Sequence, residues 1–274
     1  MEKSIKVHIL HCGEVGVDPA VPFRDVSKNP IAYTGVGRNK KLRIWLPVSA
    51  YLIEHPKGKI LIDTGWHKEV RVSPIKHMSP LLYMASKPRL PEGKAIDEQL
   101  LDMGIETKDL DYVFMTHMDC DHASGIKLVK NAKKIMISEE ELSTIRKGNI
   151  RYGNRFWKDI NIESFQMKDS EYGPFKRAYD VFGDEKVLLI DAKGHTMGNI
   201  VVMVKNNNEF VLLTGDCGYE KDSWENLRIP GPLYNKEDML KSLKWIQVMA
   251  HKDNCKGVFA THDSNVKPQI IELP

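Results

Sequence analysis

The sequence predicts an α/β protein in which two mixed sheets pack face to face and helices cover their outer sides, a four-layer αββα sandwich. Two observations support this prediction. Strand-like runs alternate with helix-like runs along the chain, and His and Asp residues directly follow four of the predicted strands. The 274 residues are enough for one such domain with a substantial core. We therefore expect a single domain over residues 1–274.

Predicted strands dominate the first half of the chain. Residues 4–10, 43–54 and 59–63 are rich in apolar and β-branched residues, as is typical of strands. Gly58 supplies the turn between the last two strands. Residues 65–91 form an irregular segment that is too long for a simple connection. We expect this segment to be either a small helical insertion or an active-site lid.

Helices and short strands alternate in the middle of the chain. Gly104 ends the first predicted helix. Ser138 is the predicted N-cap of a further helix, because three glutamates follow it in the first turn. The predicted helices before that one cover residues 94–103 and 123–130, and the predicted strands cover residues 111–115 and 134–137.

The second half of the chain continues the alternation. Three consecutive asparagines form the turn of a predicted hairpin between residues 200–204 and 210–213. A predicted strand at residues 186–191 precedes this hairpin. A predicted helix at residues 236–251 follows it and leads into a last strand at residues 257–260.

Charge and cysteine content narrow the class of protein. The 40 basic and 37 acidic residues are mixed along the chain, which argues against nucleic acid and anionic membranes as partners. No apolar run approaches the roughly 20 residues that span a bilayer, and the N-terminal residues lack the apolar stretch of a signal peptide. The four cysteines show no C-x-x-C spacing and indicate reduced thiols. We expect a cytoplasmic protein that acts on a small molecule, and its oligomeric state stays open.

Potential metal ligands follow four predicted strands. Loops at strand ends on one edge of a sheet are where α/β proteins usually build their sites. Imidazole suits Zn, Fe, Ni or Cu, and carboxylates shift the preference toward harder ions. Seven candidate ligands exceed what one tetrahedral ion needs, but they suit two divalent ions that share a bridge. The candidates are His117, Asp119, Asp121 and His122 after one strand, and His195, Asp216 and His262 after three others.

At these positions the sequence resembles the metallo-β-lactamase superfamily. The resemblance extends over nearly the whole chain, with the motifs in the family's order, and it implies the αββα fold of that family. The matching segments are LIDTGW at residues 61–66, THMDCDHASG at 116–125, GHTMGN at 194–199, LLTGDCGY at 212–219 and VFATHD at 258–263.

The resemblance also implies a distribution of the ligands over two ions. One ion would be held by His117, Asp119 and His195, and Asp216 would bridge the two ions. The other ion would be held by Asp121, His122 and His262. The resemblance further implies that Asp63, in the LIDTGW segment, orients one of the ligands. A turn-capping role for Asp63 at the end of its strand is an equally open alternative.

Asp119 departs from the family pattern, which has a second histidine at this place. The flavodiiron proteins carry a glutamate there and bind iron. Zinc remains the first expectation for the metal, and Asp119 keeps iron and manganese as alternatives. The carboxylate of Asp119 could also weaken metal binding at the site formed by His117, Asp119 and His195. The neighbouring Cys120 is expected to point away from the ions.

Within the superfamily, the sequence resembles the N-acyl homoserine lactonases most. Those lactonases keep a tyrosine three residues after the bridging aspartate, and Tyr219 stands there in this chain. The resemblance implies metal-activated opening of a lactone, in which Tyr219 hydrogen-bonds the carbonyl oxygen and Asp121 transfers the proton. Apolar residues between Trp66 and Met84, together with Val15 and Phe23, are candidates to hold an acyl chain.

Other activities use the same kind of metal centre. A thioesterase of the glyoxalase II type and a phosphodiesterase remain alternatives within the fold. A diiron redox enzyme of the flavodiiron type and a ligand-binding sensor without turnover are alternatives from other classes. A secreted β-lactamase is disfavoured because the N-terminal residues do not resemble a signal peptide.

Overall fold

The computed structural model describes residues 3–148 and 151–274 and consists of fourteen strands in two sheets, with short helices outside them. The strands are β1 (Ile5–Val17), β2 (Ile44–His55), β3 (Gly58–Ile62), β4 (Lys87–Arg89), β5 (Tyr112–Phe114), β6 (Ile135–Ser138), β7 (Glu163–Phe165), β8 (Lys168–Asp169), β9 (Arg177–Asp180), β10 (Val187–Asp191), β11 (Ile200–Asn206), β12 (Glu209–Gly215), β13 (Cys255–Ala260) and β14 (Gln269–Leu273).

Seven α-helices accompany these strands, together with several short 3₁₀ turns, within the described ranges. The helices are α1 (Pro74–Met78), α2 (Pro80–Ala85), α3 (Ile96–Asp102), α4 (Cys120–Ala123), α5 (Glu139–Arg146), α6 (Lys221–Glu225) and α7 (Lys236–Ala250).

Both sheets are mixed. The first has the strand order β14-β1-β2-β3-β5-β6-β7, with β4 also paired to β1, and its pairs from β3 to β7 are parallel. The second has the order β13-β12-β11-β10-β9-β8, and only its β12–β13 pair is parallel. The predicted pairing of two mixed sheets is therefore confirmed.

Side-chain alternation along the strands creates the four layers. In β2 and β3, Ile53 and Ile60 point into the core between the two sheets, where they join Val202 and Leu213 of the second sheet. The alternate residues of the first sheet point outward and pack with α3. On the other side of the molecule, α7 covers the second sheet with Met239, Leu243 and Ile246. The predicted αββα sandwich is confirmed.

Two predicted elements differ from the structure. The first strand does not end at residue 10, because β1 changes register between His11 and Glu14 and continues along β2 to Val17. The predicted helix at residues 123–130 is wrong as a continuous α-helix, since the chain adopts a 3₁₀ conformation over Ser124–Val129. A Cβ atom at Gly125 would lie 2.4 Å from the carbonyl oxygen of Thr64, so the tight approach of these two loops requires glycine.

The segment at residues 65–91 contains α1, α2 and the short strand β4. It is attached to α3 by two ion pairs, Lys68–Asp97 at 2.7 Å and Arg71–Glu98 at 2.6 Å. Arg71 approaches both carboxylate oxygens of Glu98, a forked geometry that favours a strong pair. This hydrogen bonding to Arg71 lowers the pKa of Glu98 to about 2.

We expect Glu98→Gln to lower the free energy of unfolding by about 1–2 kcal/mol at pH 7, a value discounted for partial solvation of the pair. Because folding lowers the pKa of Glu98, its ionised form stabilises the folded protein fully above about pH 4.5, and this contribution is lost as the pH falls toward 2. Urea unfolding at pH 7 and at pH 3.5 measures the difference. Asp102→Asn, at an exposed position at the end of α3, is the matched control. An equal difference at both pH values would contradict the ion-pair explanation.

Two further observations bear on the class of protein. Across the described residues, no helix combines the length and the apolar content needed to cross a membrane. All four cysteines are free thiols, and three of them are buried.

Candidate metal centre

The seven candidate ligands converge at one end of the sandwich. They follow β5, β10, β12 and β13, whose ends meet at this edge. All four histidines are at most 2% exposed, and Asp216 is 2% exposed. Such a concentration of buried ionisable side chains is rare in a protein interior, and it marks a functional site.

The first group contains His117, Asp119 and His195 together with Asp216. Oδ2 of Asp119 lies 3.4 Å from Nε2 of His117 and 3.1 Å from Nε2 of His195. Oδ2 of Asp216 lies 3.5 Å from Nε2 of His195. One ligand atom from each side chain therefore faces a common point.

The second group contains Asp121, His122 and His262. Nε2 of His262 lies 3.4 Å from Oδ2 of Asp121. Oδ1 of Asp216 is 3.1 Å from Nε2 of His122 and 3.2 Å from Nε2 of His262. Asp216 thus directs one oxygen toward each group, which is the placement expected of a bridging carboxylate.

Hydrogen bonds behind the imidazoles fix their orientation. Asp63 accepts a hydrogen bond from Nδ1 of His122 at 2.8 Å and also accepts two hydrogen bonds from Thr116. Nδ1 of His262 lies 2.7 Å from the carbonyl oxygen of Pro47, to which it donates. Each of these bonds directs Nε2 of the imidazole at the centre. Asp63 therefore contacts a candidate ligand, in agreement with the orienting role that the sequence suggested.

The local backbone at Asp63 is unusual. Its φ of +58° lies in the left-handed region, which side chains other than glycine rarely adopt. The conformation places its carboxylate between the Thr116 backbone and His122. The hydrogen bonds that orient His122 and Thr116 therefore compensate for the local backbone strain.

The donor set fits divalent metal ions. Among the described residues, Nε2 of His117, Nε2 of His122 and Oδ1 of Asp216 are buried and have no hydrogen-bond partner. Each such atom costs about 1–3 kcal/mol when it stays unsatisfied. All of them point toward the centre, and divalent cations bound there would satisfy them by coordination.

The charges of the centre reinforce one another. Burial by itself would lower the pKa of His122, but Asp216 and Asp63 outweigh it and raise that pKa well above its usual range. Burial likewise opposes ionisation of Asp216, yet the neighbouring His262 and His122 hold the pKa of this carboxyl well below its usual range. The carboxylate of Asp216 is therefore ionised, as a metal ligand requires.

Two residues of the centre were not found from the sequence. Glu141 was assigned only to the first turn of α5, but it is fully buried and connects two ligand loops. Its carboxylate accepts hydrogen bonds from the Met118 backbone at 3.1 Å and from the Thr196 hydroxyl at 2.8 Å. Ser138 is the N-cap of α5, as predicted, and its hydroxyl also donates to the carbonyl oxygen of Gly198.

Arg151 is the second residue that the sequence did not reveal. Its Nε donates to Oδ1 of Asp119, and its Nη2 donates to Oδ2 of Asp119, both at 2.6 Å. Nη2 also lies 2.7 Å from Nε2 of His195. Burial opposes ionisation of Asp119, but Arg151 lowers its pKa well below the usual range. Burial, followed by Arg151, lowers the pKa of His195 to about 4, so this imidazole is neutral.

Tyr219 lies directly over the centre. Its hydroxyl donates to Oδ2 of Asp216 at 2.6 Å, and its ring stacks on His262 with centroids 5.0 Å apart. Burial, and then the charge of Asp216, raise the pKa of Tyr219 well above its usual range. The phenol therefore stays protonated and can act as a hydrogen-bond donor. Cys120 is buried beside the centre, and it belongs to neither group of metal-binding side chains.

A cavity of about 470 Å³ opens above these residues. Asp121, Asp216, His262 and Tyr219 form part of its lining. Its apolar lining includes Val15, Val17, Val21, Leu81, Leu82, Met197 and Leu233.

Only some of the residues that the sequence suggested for an acyl chain line this cavity. Val15 and members of the segment at residues 65–91 do line the cavity. Trp66 does not line the cavity; it is fully buried, and its indole N–H donates to the carbonyl oxygen of Glu14. Phe23 also lies outside the cavity lining, and its ring packs against the guanidinium of Arg228.

The αββα sandwich and the buried His/Asp centre at its edge define a metal-dependent hydrolase. A sequence model of the metallo-beta-lactamase superfamily matches residues 43–254. The chain belongs to this superfamily, as its motifs predicted.

Within this superfamily, the chain is similar to N-acyl homoserine lactonases. N-acyl homoserine lactonase AttM of Rhizobium johnstonii is 29% identical over 219 residues, which cover 80% of this chain and 82% of that protein. An N-acyl homoserine lactonase of a Bacillus species is 26% identical over 223 residues, which cover 80% and 82%. The predicted resemblance to N-acyl homoserine lactonases is confirmed.

Solved structures show the same fold. An N-acyl homoserine lactone hydrolase, with the product N-hexanoyl-L-homoserine bound at its catalytic metal centre, matches with a TM-score of 0.77 at 23% identity. The match covers 97% of this chain and 98% of that one.

Proposed function

We propose that the protein hydrolyses the lactone ring of N-acyl homoserine lactones. The observation that carries the proposal is the position of Tyr219, whose hydroxyl lies 2.6 Å from the central Asp216 at the floor of an apolar-walled cavity. This arrangement offers a neutral hydrogen-bond donor beside the metal ligands and room for an acyl chain. The two relatives described above are both named N-acyl homoserine lactonases, which supports the same choice.

The seven ligands would hold two divalent ions. His117, Asp119 and His195 would bind one, and Asp121, His122 and His262 the other, with Asp216 between them. When bound, such ions polarise the substrate carbonyl and lower the pKa of water toward neutrality. Zinc is our first expectation, and the carboxylate of Asp119 keeps iron and manganese as alternatives.

The residues of the chain would carry the proton transfers. Asp121 accepts a proton from the attacking water and passes it to the ring oxygen as the ester bond breaks. The water oxygen becomes bonded to the carbonyl carbon, and the ring opens to a hydroxy acid. Tyr219 donates a hydrogen bond to the carbonyl oxygen while negative charge develops there.

The cavity walls would bind the acyl chain. Leu81 and Leu82 of α2 line the cavity together with Val15 and Val17 of β1, so an acyl chain placed there would be removed from water. Through α2, the segment at residues 65–91 would thus act as one wall of the substrate site. Single-domain organisation and a cytoplasmic location remain predictions.

We expect the purified protein to contain about two equivalents of zinc, iron or manganese and to open N-hexanoyl homoserine lactone. Elemental analysis, combined with titration of the acid released with and without chelator, measures both. Activity should disappear on chelation and return with added metal. Two bound metals without lactone turnover would contradict the substrate and favour thioesters or phosphodiesters. Less than one equivalent after metal supplementation would contradict the two-metal centre itself.

A further inference from the structure

Arg151 contacts one of the two groups of candidate ligands and so makes their electrostatic surroundings different. Its guanidinium contacts two side chains of the first group, Asp119 and His195. Among the ion pairs of the described residues, the second group contains no such cation, because Asp121 and Asp216 pair with histidines alone. The two groups therefore differ in local charge although their donor atoms are similar.

The guanidinium uses the same atoms that a metal ion needs. Nη2 of Arg151 is 2.6 Å from Oδ2 of Asp119 and 2.7 Å from Nε2 of His195. An ion coordinated by these two atoms would lie about 2.0–2.2 Å from each of them. Nε2 of His195 has one lone pair, so it cannot accept a hydrogen bond from Nη2 and coordinate an ion at the same time, and binding of the ion requires Nη2 to move away.

Two further contacts hold the rigid, planar guanidinium close to the first group even when it tilts to move Nη2. Nε of Arg151 donates to the other oxygen of Asp119, Oδ1, at 2.6 Å. Nη1 donates to the backbone carbonyl of His195 at 3.1 Å. Arg151 can therefore stay beside the first group after an ion has entered, where its positive charge repels the ion.

We infer that Arg151 is a built-in cation that competes for the first group of ligands and makes the two metal sites unequal. The Asp121, His122 and His262 side binds its ion first and tightly. The His117, Asp119 and His195 side binds more weakly, because its ion must displace Nη2 and tolerate a neighbouring positive charge. This competition depends on the carboxylate of Asp119, because a carboxylate can accept two parallel hydrogen bonds from the guanidinium of Arg151. The inference rests on the proposed two-metal centre but not on the lactone substrate.

Titration of the metal-free protein with Zn²⁺ in competition with a chromophoric chelator tests the inference. We expect the wild type to bind two equivalents with clearly separated affinities. Arg151→Met removes the competing charge and should tighten the weaker equivalent by about 10- to 100-fold, with little change in the stronger one. Arg151→Lys keeps the charge, so its weaker equivalent should stay closer to that of the wild type. Arg155→Met, at an exposed position four residues further on, is the matched control.

Contrary results are distinguishable. Two equal affinities in the wild type would overturn the inference. So would a weaker or lost second equivalent in Arg151→Met, because Arg151 would then only position Asp119. A Co²⁺ absorption spectrum of each variant reports whether the ligand environment is intact, independently of turnover. Failure of the wild type to bind any Zn²⁺ would refute the proposed metal centre as well.

Discussion

We expect Asp121→Asn to reduce kcat/KM for N-hexanoyl homoserine lactone by about 10³-fold or more, the effect of losing a general base that is also a metal ligand. Asp121 is buried at the cavity floor, with Oδ2 only 3.4 Å from Nε2 of His262. Burial raises the pKa of this carboxyl. An amide has nearly the same shape but does not accept the proton. Steady-state kinetics, with the metal content measured on the same sample, test this expectation.

The metal content separates the two roles of Asp121. A variant that keeps two equivalents and loses activity has lost its proton acceptor, whereas a variant with one equivalent has lost a ligand. Asp253→Asn removes an exposed carboxylate after α7 and should leave both measurements unchanged. Activity within tenfold of the wild type in Asp121→Asn would show that another group takes the proton.

The fold and the ligand cluster were predictable because both depend on short-range sequence signals. Each candidate ligand follows a strand that is recognisable from its own apolar residues. The ends of β5, β12 and β13 meet at one edge of the sandwich, so ligands that are distant in the chain come together once the strands are assigned. His117 and Asp216, for example, were placed in one centre on this basis. Nε2 of His117 lies 3.9 Å from Oδ2 of Asp216.

The supporting residues were not predictable for the opposite reason. Arg151 reaches Asp119 from an irregular segment, where no periodic pattern fixes the direction of a side chain. Glu141 sits among three consecutive glutamates that all fit the first turn of a helix equally well. Only the packing of α5 against the ligand loops makes Glu141 buried and leaves Glu139 exposed. Such distinctions arise from tertiary contacts, which composition and spacing do not record.

The errors have a similar origin. The apolar residues of the segment at 65–91 were treated alike as acyl-chain candidates, but they divide between core and cavity. Trp66 is fully buried in the core cluster that also contains Phe156, and Leu81 is half exposed at the cavity wall. Hydrophobicity predicts that both leave water, but it does not tell whether protein or substrate covers them.

Tyr219→Phe is expected to lower kcat by about 10²-fold, with a much smaller change in KM, because the phenol acts mainly when charge develops on the carbonyl oxygen. The ring of phenylalanine retains the stacking on His262. The loss is therefore confined to the hydroxyl, which in this structure donates to Asp216. Steady-state kinetics on N-hexanoyl homoserine lactone, with metal content measured in parallel, give the two parameters separately.

Tyr172→Phe provides the control, since its hydroxyl contacts Lys205 and lies outside the cavity lining. It should leave both parameters within about twofold of the wild type, as is usual for a substitution remote from the site. If Tyr219→Phe raises KM and leaves kcat unchanged, the hydroxyl contributes to substrate binding and not to the chemical step. If it lowers the metal content, the hydrogen bond to Asp216 supports the ligands, and the donor to the carbonyl oxygen must be sought among other residues lining the cavity.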